Sequence, residues 1–135
     1  MSTSDAKLKD VIGELDKQQS LEFINSLTPY EYTFKDSKHK RKHMGFLAQS
    51  VKDTVVEKNM GDMAIYEATR VDDDGKEYYF KDEYDENELL WGLKYNEFIA
   101  PLVGAVQALT KRVEDLEADN EKLRTRIEKL EGASE

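Results

Sequence analysis

Between residues 99 and 130 apolar side chains recur at alternating spacings of three and four, and this stripe restricts the fold more than any other feature. Ile99, Leu102, Val106, Leu109, Val113, Leu116, Leu123, Ile127 and Leu130 occupy the a and d positions of a heptad, with Asn120 the one polar member. A helix cannot bury so narrow a stripe against itself, so it must meet the body of its own chain or copies of itself. Between residues 111 and 131 the b, c and f positions are almost all charged or small, which leaves no second apolar face and favours the copies. In a parallel, in-register bundle Arg112 faces Glu117, Asp119 faces Arg124 and Arg126 faces Glu131. All these pairs attract, so the spacing predicts parallel helices. The β-branched residues at a, Leu at d and a lone Asn at a are the combination usually read as two-stranded.

The stripe leaves roughly one hundred of the 135 residues, enough for one small domain. The expected organisation is a globular body over residues 1–94 and a helix with its coiled-coil stalk over residues 95–135. The fold class is α+β: a small mixed body of short strands and helices, then a long C-terminal helix. The sequence has no Cys, which removes disulfides, thiolate nucleophiles and thiolate zinc sites. No run approaches ~18 apolar residues and no apolar signal segment opens the chain, so neither a membrane protein nor a secreted one is expected. Charged residues make up 36% and the net charge is −9, which repels phosphate and disfavours a nucleic-acid partner.

Residues 1–9 are polar and small, and predict an extended or irregular opening. Residues 15–27 place Leu21, Ile24 and Leu27, with Phe23 beside them, on one side of a short helix that stops at Thr28 and Pro29. Tyr30, Tyr32 and Phe34 alternate with Glu31, Thr33 and Lys35, the period of a half-buried strand. The basic run from Lys38 to His43 reads as a solvated loop, given the net negative charge. His39 and His43 lie four apart, but no acidic third ligand sits at a fitting spacing, so no metal and no cofactor is expected. Gly45, Phe46, Leu47, Ala48 and Gln49 predict a buried strand, with Ser50 capping a short helix through Val56. Residues 63–71 and 77–80 are rich in β-branched and aromatic types, and the Asp74-Gly75 pair between them is a hairpin signal. A calcium loop fits less well, because Arg70 stands where the first ligand would be. Residues 82–88 read as an acidic loop and residues 89–93 as a strand. Pro101 requires the long helix to start near Ala100 or to kink there, with Tyr95, Phe98 and Ile99 packed on the body.

Any nucleophile must be a hydroxyl served by a neighbouring base. Ser4 has Lys7 three residues on and Lys9 five residues on, and a desolvated lysine can deprotonate serine. On a regular strand the odd spacing points Ser4 and Lys9 to opposite faces, so a bulge, a turn or a neighbouring chain must bring them together.

Four motifs in succession widen this reading. They are the opening Ser4, Asp5, Ala6, Lys7, Leu8, Lys9 with Ile12; Leu27, Thr28, Pro29 leading into residues 30–34; Gly45 to Val51; and Leu93, Lys94, Tyr95, Asn96 running through Pro101 to Gln107. In order and spacing they resemble the self-cleaving C-terminal intramolecular chaperone domain of bacteriophage tailspikes, tail fibres and neck appendages, found also in endosialidases and in the myelin regulatory factor. The resemblance covers nearly the whole chain, with Lys7 where arginine is usual. It implies a homotrimer, against the two strands suggested by the heptads, and a single-turnover serine endopeptidase. Ser4 and Lys9 would be its catalytic dyad, and the Ser4–Asp5 bond its cleavage junction. It further implies that the trimer registers an upstream β-rich fibre or spike region of the same polypeptide. The domain would belong to a virion precursor assembled in the host cytoplasm and leave the mature virion protein after cleavage. The other expectation is a non-catalytic trimerisation or attachment module of a viral fibre, in which Ser4 is ordinary.

Overall fold

The computed structural model of the chain describes residues 3–71, 77–79 and 89–133. After a 3₁₀ turn at Ala6–Leu8 come helix α1 (Lys17–Ser26), strands β1 (Tyr30–Tyr32) and β2 (His43–Gly45), and helix α2 (Ala48–Glu57). Strands β3 (Tyr66–Val71), β4 (Glu77–Tyr79) and β5 (Leu90–Leu93) follow, then a 3₁₀ turn at Tyr95–Phe98 and helix α3 (Ile99–Ala133). The mixed body of short strands and helices with a long terminal helix is the expected α+β arrangement. No described helix is long and apolar enough to cross a membrane.

The helix ends follow from local chemistry. Asp16 caps α1 by accepting the Gln19 backbone N–H at 2.8 Å, and the chain turns extended at Leu27, two residues ahead of Pro29. Helix α2 stops where Asn59 adopts a left-handed φ of 51°; the Asn59 N–H then reaches the Val56 carbonyl and the Met60 N–H the Val55 carbonyl. In α3, Pro101 falls within the first turn, where its missing N–H has no intrahelical acceptor to leave unpaired.

Strands β1 and β2 pair antiparallel, with Tyr30 opposite Gly45 and Tyr32 opposite His43. The second sheet has the order β4-β3-β5 and is antiparallel throughout. Helix α2 lies against β3 and β5, and α1 against α3. Between these layers Phe23, Val51, Val55, Ile65 and Phe98 form the core, with Ile24, Leu27, Phe46 and Leu93 packed around them. Phe98 stacks on Phe23 at 6.4 Å and on Phe46 at 5.0 Å between ring centroids, so the 3₁₀ turn before α3 ties the long helix to the body. Gly104 permits the close approach of α1: a Cβ there would lie 2.9 Å from Ser20 Oγ.

Several local expectations are corrected. The expected strand through residues 45–49 ends at Gly45, and α2 begins at Ala48 with no side-chain cap, so Ser50 lies inside the helix. The reason is a helical stripe, Ala48, Val51 and Val55, that buries against the core and overrides the strand reading of a short apolar run. A Cβ at Gly45 would lie 2.5 Å from the Tyr95 hydroxyl, and that hydroxyl accepts the Phe46 N–H at 3.2 Å, so the chain turns there instead of extending. Phe98 joins the body as expected and Tyr95 rests its ring against Phe46, but Ile99 is 59% exposed and faces with the heptad stripe. The opening segment carries a 3₁₀ turn where an extended or irregular stretch was expected. The hairpin between β3 and β4 is antiparallel as expected, while its turn, Phe80 and the acidic loop over 82–88 lie outside the described residues.

Candidate functional site

Ser4 and Lys9 are brought together by the turn between them. The Asp5 carboxylate accepts the Lys7 N–H at 2.9 Å, the Asp5 carbonyl accepts the Leu8 N–H at 3.1 Å, and the Ala6 carbonyl accepts the Lys9 N–H at 3.2 Å. This single 3₁₀ turn reverses the odd spacing that would part the two side chains on a strand, because it brings positions near its two ends back over one another. Lys9 Nζ then donates to Ser4 Oγ at 2.8 Å. Lys7, the alternative base, sits inside the turn. Asp5 therefore combines two positions: it follows Ser4 in the chain and it caps the turn that folds Lys9 back.

Both side chains are exposed. A lysine takes a proton from serine only as the neutral amine, a form that removal of water favours and that an open surface does not. The pair thus has hydrogen-bonding contact without the dry surroundings that general-base chemistry needs. The same holds for the segment after it. Leu8 is 74%, Val11 80% and Ile12 105% exposed, so the arm leading to α1 presents apolar side chains to solvent.

The heptad residues are likewise unburied. Ile99, Leu102, Val106, Leu109, Val113, Leu116, Leu123, Ile127 and Leu130 are between 45% and 65% exposed, and Asn120 is exposed among them. The face of α3 that does pack is another one, where Pro101, Gly104 and Ala105 lie buried under α1. In heptad terms these are c, f and g positions, so α1 leaves a and d open.

The basic loop offers no comparable site. Lys40 Nζ donates to the carbonyls of Phe34 at 3.0 Å and Lys35 at 2.6 Å, and Lys42 pairs with Glu31 at 3.4 Å. The His43 ring stacks on Tyr32 and meets Phe34 edge-on. Among the described residues no group of three or more His, Cys, Asp and Glu is placed to hold a metal ion.

A scan against known families meets this geometry at its first residue. Residues 4–60 match the family described as chaperone of endosialidase. This is the C-terminal chaperone family to which the motifs pointed. The endosialidase chaperone family is named as a peptidase family, and the match opens at Ser4 and runs through β1, β2 and α2. No curated protein matches the chain. Leu8 and Ile12 already belong to the opening motif; Val11 and Leu15 complete an apolar spacing of three, four and seven from Leu8, in a stretch that is helical only in the turn at Ala6–Leu8.

Proposed function

We propose that this chain is a C-terminal intramolecular chaperone that trimerises through α3, registers the fibre or spike chains upstream of it, and is released by serine-dependent cleavage of the Ser4–Asp5 bond. The observation that carries the reading is the 2.8 Å contact from Lys9 Nζ to Ser4 Oγ, at the residue where the endosialidase chaperone match begins. Lys9 acts as general base on the hydroxyl of Ser4, from its own or a neighbouring chain, and Ser4 Oγ attacks the carbonyl of the Ser4–Asp5 bond, giving a four-membered lactone where that carbonyl is its own and an ester between chains where it is a neighbour's. The Asp5 amine leaves with the proton that Lys9 returns, and water releases the acyl group from the serine.

The open a and d stripe of α3 supports association, and the charges flanking it support a parallel arrangement. Three β-rich chains face slow, aggregation-prone pairing between distant segments, and a parallel bundle at their C-terminal end holds them in register while they pair. Cleavage that depends on assembly then reports completion and leaves the product kinetically trapped. The domain acts in a virion precursor during assembly in the host cytoplasm. The exposure of Ser4 and Lys9 in the single chain favours the second reading, a trimerisation or attachment module without catalysis, wherever assembly leaves that pair wet.

One fusion separates the two readings. A folded reporter placed upstream of Met1 is cut at Ser4–Asp5 without added protease, as read by the mass of the C-terminal fragment. Ser4→Ala abolishes the cut and Lys9→Ala slows it severely. A fusion that stays intact while sedimenting as a trimer leaves the attachment module standing, and a dimer mass overturns the trimer.

A further inference from the structure

Helices α1 and α3 run antiparallel. Phe23, near the end of α1, stacks on Phe98, while Ser20 and Lys17, nearer its start, lie against Gly104. The arm before α1 therefore leaves the body in the direction of the stalk. Where it leaves, an open cleft of about 480 Å³ separates Glu14, Leu15 and Lys17 on one wall from Ala100, Val103 and Gln107 of α3 on the other. Val103 is 51% exposed and sits at an e position, so it borders the a and d stripe without belonging to it and without being covered by α1. Leu15 on the opposite wall is 44% exposed.

We infer that this cleft receives the arm of a neighbouring copy of the chain, with Val11 and Ile12 seated between α1 and α3 of the next protomer. The inference rests on the parallel α3 bundle proposed above, in which the e side of one helix meets the g side of the next. In the present structure α1 covers Ala105, a g position. Each protomer's α1 and arm therefore stand beside the cleft of its neighbour. The occupant fits the cleft in chemistry: two largely exposed aliphatic side chains meet the aliphatic edges of Leu15 and Val103, and Asp10 beside Val11 meets the cation of Lys17 at the rim. An arm contacting its own body so little gains burial only from a partner. Docking also alters the dyad. Lys9 lies two residues before Val11, so seating the arm brings the Ser4–Lys9 pair up to the neighbouring chain and takes water from around it. The cleavage site is then complete only between two chains, and assembly and cleavage are coupled by one contact.

The absence of native cysteine makes the test direct. Two differently tagged chains, one Val11→Cys and one Val103→Cys, are co-expressed and oxidised. A disulfide joining the two tags is expected, and is expected to vanish when Leu116→Asp and Leu123→Asp are added to both. Trimers of wild-type melting temperature that form no mixed disulfide overturn the inference. In the reporter fusion, Val11→Asp with Ile12→Asp should retain the trimer mass and slow cleavage at least a hundredfold; unchanged cleavage in that trimer also overturns it. A mixed disulfide between the two cysteine variants, together with a wild-type reporter fusion that is never cut, keeps the docked arm and removes self-cleavage, so the two proposals fail separately.

Discussion

Helix α3 is two helices in energetic terms. Its first three turns are covered on one side by α1, with Pro101, Gly104 and Ala105 buried and Phe98 anchored in the core immediately before them. Beyond Thr110 every described residue is exposed, and the described ion pair there, Lys111 to Asp115 at 3.3 Å, lies on the surface. Exposed i,i+4 pairs contribute only about 0.3–0.5 kcal/mol each. The first part is helical because its own chain packs on it, whereas the second rests on propensity and surface pairs, and propensity alone is marginal in water. The difference separates a joint that belongs to the folding of one chain from a stalk that, in the proposed assembly, belongs to the association of several.

The comparison breaks most completely at the stripe. Leu116→Asp with Leu123→Asp should reduce the mass measured by sedimentation equilibrium to that of a monomer and remove much of the helical circular dichroism, while near-ultraviolet signals from the aromatic body persist. Simultaneous loss of both signals would mean that the body has no stability of its own. The converse change, Phe23→Ala, removes a fully buried ring that stacks on Phe98 and should destabilise the body by about 3–5 kcal/mol, seen as an early transition in denaturant that leaves the stalk helical. Asn120→Ile removes the one polar member of the stripe and should stabilise the bundle by about 1–3 kcal/mol per chain, raising the melting temperature while loosening register. Smallest is Gly104→Ala, whose Cβ must displace Ser20 Oγ from 2.9 Å; the cost is about 1–2 kcal/mol, confined to the α1 contact. A Gly104→Ala protein as stable as wild type would show that α1 gives way there, and would make the joint softer than the close approach suggests.

Legibility in the sequence followed the range of the interactions. The stripe over 99–130, the Pro29 stop after α1, and the antiparallel pairing of β3 with β4 depend on neighbours within a few residues, and these could be read directly, whereas the helix expected from residue 15 starts at Lys17 behind its Asp16 cap. The run Gly45 to Gln49 could not, since four or five apolar residues suit strand and helix equally until the core selects Ala48, Val51 and Val55 as one face.

What the sequence by itself determined is therefore the periodic part: a long terminal helix with an apolar seam, a small α+β body, no thiol chemistry, and a motif order whose first three members lie within residues 4–60, the stretch that matches the endosialidase chaperone family. Tertiary structure decided which side chain holds the helix to the body, Phe98 and not Ile99, because only the former reaches Phe23 and Phe46. It also decided where α1 lies, since a glycine at position 104 leaves room for Ser20. The meeting of Ser4 with Lys9 stands between the two. The residue types are plain in the sequence, but their contact depends on the carboxylate of Asp5 closing a turn, a geometry that side-chain alternation alone points away from. Periodicity reports which faces a chain must bury, and only the packed chain shows which atoms then touch.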